Sequence, residues 1–284
     1  MSHLKQNIEY SNLDEVQELT SSSNTYRAQE QETWSYLYNR QLTNLQDKAT
    51  PSFLDNLKSL KLPHNNIPSL SEVSNTLREA NGWEVVEVNG LINNDEFFNL
   101  LANKKFPSTT YIRGNNELNL SKDPDIFHEL FGHVPMLMND EHSHYVQQIG
   151  EFGISCNDRD KALLQRLYWF VYEVGLIQTK DGMRIIGGSL LSSIEESKQV
   201  FANTNVAIKP FYLKEVLRTP YRADKLQNVY FVLNDIKDFF DILDKPQSLK
   251  NTINEAYHLG EYPASFIVEN TKYESVRCCE YIVD

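Results

Sequence analysis

The chain has 284 residues, with 39 acidic against 27 basic side chains and a formal net charge of -12. That balance argues against a broad nucleic-acid or anionic-membrane surface, and the length suits one large core or two small domains. No apolar run is long enough to span a membrane, residues 1–19 read as lacking a signal peptide, and the 3 cysteines, Cys278 and Cys279 being adjacent, form no disulfide framework, so a reducing cytoplasm is expected.

Residues 1–25 read as a polar lead ending in Thr20-Ser-Ser-Ser-Asn-Thr. From Glu30 to Asp47 the apolar spacing is helical, with Trp34, Leu37, Tyr38, Gln41 and Leu45 on or near one stripe. Pro51 suits the first turn of a second helix. Residues 62–68 form a connector. Ser69 or Ser71 caps a third helix that Asn81-Gly82 closes. Trp83 to Val88 alternates as a short strand, and Asn89 to Phe98 continues as strand, turn and a helix capped near Asn94. Thr109 to Arg113 reads as a strand ending in an arginine, which on its own would be solvated.

Next comes Asp125-Ile-Phe-His-Glu-Leu-Phe-Gly-His-Val-Pro135, two histidines inside an apolar stretch. His128 and His133 are five residues apart, a step that turns roughly 140° on a regular helix, so the rings would diverge. The zinc-protease pattern needs a step of four, so Glu129 is not read as a protease base. Two devices can reunite the rings: Gly132 ending or distorting the helix, or a π-bulge, which brings positions five apart near one face. Pro135 fits a helix failing here. Imidazoles bind Fe, Zn, Cu or Ni, and two of them leave such an ion short of ligands. The competing reading is a satisfied core pair at a helix end. His142 and His144 are rival ligands, but Asn139 to His144 reads as an exposed loop.

Leu163 to Ile177 reads as a helix apolar nearly all round and hence deeply packed. Trp169 and Phe170 precede Glu173 on its face, and Leu176 and Ile177 follow it. A lone carboxylate there would lose several kcal/mol of hydration unless it is paired, and a metal is such a partner. Two histidines and one carboxylate make the facial triad of non-haem Fe(II) oxygenases. Met183 to Ser193 reads as strand, glycine turn and helix start. Arg218 to Arg222 leads into a strand near Gln227 to Leu233, followed by a helix from Asp235 to Leu243. Ser265-Phe-Ile-Val-Glu and Val276 to Val283 are β-like runs around a polar turn, a possible hairpin.

The runs Asp123 to Pro135, Leu167 to Leu176 and Leu190-Leu-Ser-Ser193 resemble the pterin-dependent aromatic amino acid hydroxylases, above all their short bacterial phenylalanine 4-monooxygenases. The resemblance extends from near Trp34 to about Phe240. It implies a mostly α fold with short β-strands (α+β). A single catalytic domain would span 26–245, after the lead at 1–25 and before a C-terminal extension at 246–284. It implies Fe(2+) held by His128, His133 and Glu173, and a tetrahydropterin (tetrahydrobiopterin or a relative). Gly90 and Leu91 would present backbone to the pterin edge and Phe97 would stack on its face, with Tyr168 and Glu129 on the same side and Glu129 catalytic. The substrate would be held by Arg113 at its carboxylate, helped by Ser121, and bordered by His128, Trp169 and Ser192. Ser192 would support a ligating histidine. Asp125 would accept a ring N–H or cap the helix.

This sequence departs from the resemblance at Asn93 and Asn94, where relatives carry small hydroxyl residues, and at Ser189, where they carry glycine at the substrate wall. The expected reaction is hydroxylation of L-phenylalanine to L-tyrosine by O2. The alternatives are a sibling hydroxylase acting on tyrosine, tryptophan or another ring position, and a metal-binding protein without turnover. Only small-molecule partners are expected, with no nucleic acid, no membrane, and a monomer or dimer.

Overall fold

Capping residues set most of the helix ends in the computed structural model, which describes residues 26–121, 123–202 and 206–264. The polar lead and the C-terminal hairpin fall outside these residues. Helix α1 (Ala28–Leu45) turns Trp34, Leu37 and Leu45 into the core. In α2 (Pro51–Leu60), Pro51 occupies the first turn and the Thr50 hydroxyl accepts from the Phe53 amide. In α3 (Leu70–Asn81), Ser69 and Glu72 form a reciprocal capping box, and Gly82 leaves the helix at φ 83°. Strand β1 (Glu84–Glu87), α4 (Asn94–Ala102), capped by Asn93, and β2 (Lys105–Ser108) follow. Strands β1 and β2 pair in parallel.

The strand therefore ends before Thr109, and residues 109–113 are irregular rather than extended in a sheet. Helix α5 (Val134–Leu137) carries Pro135 in its first turn, so the chain stays helical through a proline expected to end it. The loop expected at 139–144 is instead the start of α6 (Asp140–Ile154), because the Asn139 side chain accepts from the His142 amide at 2.7 Å and caps the turn.

Helix α7 (Asp158–Tyr168) leads to β3 (Leu176–Thr179), so Leu176 and Ile177 belong to a sheet and not to the face of Glu173. The helical run ends just before Gly175, where a Cβ would stand 2.1 Å from the Val171 carbonyl oxygen. Then come β4 (Gly182–Ile185), α8 (Gly188–Ser192), α9 (Ile194–Ala202), β5 (Ala207–Pro210) and α10 (Leu213–Arg218). Strand β6 (Val229–Leu233), α11 (Ile236–Leu243) and α12 (Pro246–Leu259) complete the described chain.

The larger sheet has the order β4-β3-β6-β5, antiparallel between β3 and β4 and parallel elsewhere. Helix α12 buries Leu249, Ile253 and Ala256 and packs on α7 and α10, so residues 246–259 are docked on the body. No described helix is long and apolar enough to cross a membrane.

Candidate active site

Residues His128–His133 form a π-helical turn. The Val134 amide bonds to the Glu129 carbonyl, five residues back. Of the two devices open to the sequence, the bulge is the one used: wider winding brings positions five apart to one side. The rings of His128 and His133 meet with centroids 4.7 Å apart and their Nε2 atoms 3.1 Å apart. Phe127 and Phe131 leave the other side of the turn, stack at 4.9 Å and anchor it in the core beside Trp34 and Tyr38. Gly132 does not end the helix. It lets α8 approach, since a Cβ there would lie 2.5 Å from the Gly188 carbonyl oxygen.

A second π turn, Trp169–Glu173, follows α7 without a break, with the Val174 amide bonding to the Trp169 carbonyl at 2.9 Å. It delivers Glu173 Oε2 to 3.2 Å from His133 Nε2 and 3.6 Å from His128 Nε2. One ligating atom from each of His128, His133 and Glu173 lies within 4.8 Å of the other two. His142 and His144 are not part of this cluster.

Helix α8 closes the cluster from the third side. Gln41 of α1 holds it by donating to the Leu191 carbonyl at 2.8 Å. Ser192 Oγ spends its proton on the Gly188 carbonyl (2.9 Å), so it can only accept from His128 Nδ1 at 3.0 Å. That bond places the His128 proton on Nδ1 and leaves the Nε2 lone pair facing the cluster. Ser189 Oγ donates to Glu173 Oε2 at 2.7 Å.

Burial, with the charge of His133 beside it, pushes the His128 pKa down to about 4, so this ring is neutral at pH 7. Burial also opposes ionisation of Glu173, but His133, then His128 and the Ser189 hydroxyl, outweigh it and hold the carboxylate at about 2. In His133 burial is again outweighed, here by Glu173, and the pKa is raised. In Glu129 burial wins over the favourable charge of His133 and drives the pKa up to about 8. Two imidazole nitrogens and one ionised carboxylate converging at hydrogen-bond range are the donor set of a divalent transition metal such as iron, so the residues present fit that ion.

The cluster opens into a cavity of about 830 Å³, large enough for two flat organic molecules of modest size. Every residue expected to hold cofactor or substrate lines it: Gly90, Leu91, Phe97, Glu129 and Tyr168, and Arg113, Ser121, His128, Trp169 and Ser192. Phe97 meets Tyr168 edge-on at 5.1 Å. Asn94 lines the same cavity and accepts from the Gln165 amide. A separate open hollow on α1, lined by Glu32, Ser35, Tyr36, Asn39 and Arg40, holds no such cluster.

Arg113 is not the solvated residue that an arginine after a strand would be. It is 3% exposed and gripped by the fully buried Asp125, from Nε to Oδ2 at 2.9 Å and from Nη2 to Oδ1 at 2.6 Å. Asp125 also accepts the backbone amides of Arg113 (2.8 Å) and His128 (3.0 Å). Of its two expected roles it has the capping one; it accepts from the His128 backbone, and the ring partner is Ser192. Ser121 donates to the Asp123 carbonyl at 2.7 Å.

Sequence reasoning missed Tyr221, whose ring stacks on Trp169 at 4.5 Å and 13° and lines the cavity. The aromatic after Pro220 was the available signal, but nothing local tied it to a residue about fifty positions earlier. Glu196, buried at the cavity with its pKa raised to about 7 by burial, was also missed.

Known proteins resemble this chain in sequence and fold. The family described as biopterin-dependent aromatic amino acid hydroxylase matches residues 7–275. A phenylalanine-4-hydroxylase of Pseudomonas aeruginosa is 38% identical over 241 residues, covering 85% of this chain and 91% of that protein. The apo structure of the cold-active phenylalanine hydroxylase of Colwellia psychrerythraea superposes with a TM-score of 0.81 at 39% identity, over 84% of this chain and 92% of that one. The Chromobacterium violaceum phenylalanine hydroxylase with bound iron(III) and 7,8-dihydrobiopterin gives 0.80 at 34% identity, over 87% and 89%. Sequence, fold and site chemistry agree: the chain belongs to the biopterin-dependent aromatic amino acid hydroxylases.

Proposed function

We propose that the chain is a phenylalanine 4-monooxygenase, converting L-phenylalanine to L-tyrosine with O2, a tetrahydropterin and Fe(II). The observation that carries this reading is the convergence of His128, His133 and Glu173 at the floor of a cavity lined by Arg113 and by flat aromatic side chains. When bound, iron and the reduced pterin supply O2 activation and the two electrons that a monooxygenase needs.

The chain's own residues supply position and exclusion of water. His128, His133 and Glu173 hold the ion, with Ser192 fixing the tautomer of His128. Asp125 takes Nε and Nη2 of Arg113, and Nη1, which makes none of these bonds, receives the substrate carboxylate, helped by Ser121. Trp169, backed by Tyr221, walls the substrate ring. Gly90 and Leu91 offer backbone to the pterin edge, Phe97 its face and Tyr168 a flanking ring. Glu129 is not an ion ligand. Its carboxyl faces the pterin or a water beside it. The odd cysteine count supports a reducing cytoplasm. We take the chain to be a monomer or dimer, which light scattering decides.

The test is a panel of phenylalanine, tyrosine and tryptophan, each with Fe(II), tetrahydropterin and O2, with products identified by mass spectrometry. Tyrosine formed from phenylalanine, faster than any product from the other two, is expected. Preferential hydroxylation of tyrosine or tryptophan would move the chain to the sibling reading. Iron binding with no pterin oxidation would move it to a protein without turnover.

A further inference from the structure

Helix α8 carries hydroxyls at positions 189 and 192, one turn apart and hence on one face. Each reaches a different member of the triad. Ser192 bonds to His128 Nδ1 at 3.0 Å, and Ser189 bonds to Glu173 Oε2 at 2.7 Å. The neighbouring position could not serve: a Cβ on Gly188 would stand 2.4 Å from the His133 ring. Position 189 is the place on this turn where a side chain fits and reaches the carboxylate.

The oxygen that Ser189 holds is the one turned to the imidazoles, 3.2 Å from His133 Nε2 and 3.6 Å from His128 Nε2. The terminal torsion of a glutamate is broad and roughly two-fold, so an unrestrained carboxylate swings freely and samples both oxygens. Hydrogen bonds to a ligating side chain remove that freedom before the ion arrives, and losing one typically lowers metal affinity by about 10–100-fold.

We propose that Ser189 is a positioning residue: its hydroxyl fixes the rotation of the Glu173 carboxylate with Oε2 toward the two imidazoles, and so raises the affinity of the triad for a divalent metal. This rests on reading His128, His133 and Glu173 as a metal triad. It also gives the serine a role that the glycine of the related pattern cannot fill. The pair Ser189 and Ser192 then braces two of the three ligands from a single turn of helix.

The experiment is an anaerobic titration of metal-free protein with Co(II), read by visible absorption and by calorimetry. It compares wild type with Ser189→Ala, Ser189→Thr and Glu173→Ala. Ser189→Ala is expected to bind Co(II) about tenfold more weakly, with an altered absorption band. Ser189→Thr, which keeps the hydroxyl, is expected to stay within about threefold of wild type on the same reasoning. Ser189→Ala binding as tightly as wild type overturns the proposal while the triad stands. Equal weakening in the alanine and threonine variants overturns it as well, since the hydroxyl would then not be the cause. Wild type failing to bind, or Glu173→Ala binding equally well, overturns the triad itself and this proposal with it.

Discussion

Asp125 shows how one side chain can serve structure and site together. Its two oxygens accept two guanidinium bonds and two backbone amides, so burial without water is compensated. Asp125→Ala would leave the 3%-exposed Arg113 unpaired, and loss of one partner of a buried pair costs about 3–5 kcal/mol. Urea unfolding of the two proteins measures this, and a difference below about 1 kcal/mol would mean that the pair is not what holds the strap from Arg113 to His128.

Glu196 makes a prediction of the opposite kind. Burial raises its pKa to about 7 from 4.5, although the Gln227 amide and the Tyr230 hydroxyl both donate to Oε1. Below about pH 4.5 the group is protonated both folded and unfolded, so it costs nothing. As pH rises to 7 and beyond, the unfolded chain ionises more readily, and the folded protein loses stability. Relative to Glu196→Gln, wild type should lose on the order of 2–3 kcal/mol between pH 4.5 and 8. Unfolding curves for both proteins at pH 5 and pH 8 report it. An offset between them that does not change with pH would contradict the assignment.

At this scale His128, His133 and Glu173 were legible chiefly through the resemblance of their two runs to the hydroxylase family, since spacing alone left a satisfied core pair of histidines as a competing reading. Asp125 was only half legible, since its guanidinium partner lies 12 residues earlier across irregular chain, where no periodicity marks the pairing. Tyr221 and Glu196 were not legible, because nothing within their own segments marks them as facing the cavity.

At the scale of the element, the two π turns do the work. Spacing alone left the first open between a bulge and a glycine break, and only the packed neighbour decides between them. Gly132 and Gly188 touch through backbone, which a broken helix at 132 would not need. The second turn was not foreseen at all: Leu163 to Ile177 is continuously apolar, and periodicity cannot mark where a buried helix gives way to a strand of the same composition. The polar run at 139–144 was misread for the converse reason, since an asparagine cap and an acidic first turn look like a loop until the helix after them is seen.

Gly188→Ala tests the contact between elements. The added methyl meets the His133 ring at 2.4 Å, so α8 or the ring must shift. Overpacking of this kind costs about 1–3 kcal/mol, and divalent-metal affinity should fall at least tenfold as the ring moves. Thermal unfolding with a Co(II) titration reads both. Unchanged affinity would show that the ring can yield without disturbing the site.

For the molecule as a whole, the mostly α fold with short strands was legible from the family resemblance, with the helical stripes, caps and the alternation around Trp83 in keeping with it. The docking of α12 was not. Its apolar positions are spaced for burial, yet nothing in the sequence says what they cover, and the structure supplies α7 and α10. The consequence reaches the centre: α7 runs directly into the turn that carries Glu173, so the helix under the carboxylate is held from behind.

The fold brings three ligands to one point from two distant segments, and the proposed chemistry depends on that point holding iron. The direct measurement is ferrous iron content per chain after anaerobic loading and desalting, by atomic absorption, for wild type, His133→Ala and Glu129→Ala. One equivalent is expected in wild type and in Glu129→Ala, and essentially none in His133→Ala. A full equivalent retained by His133→Ala would contradict the triad.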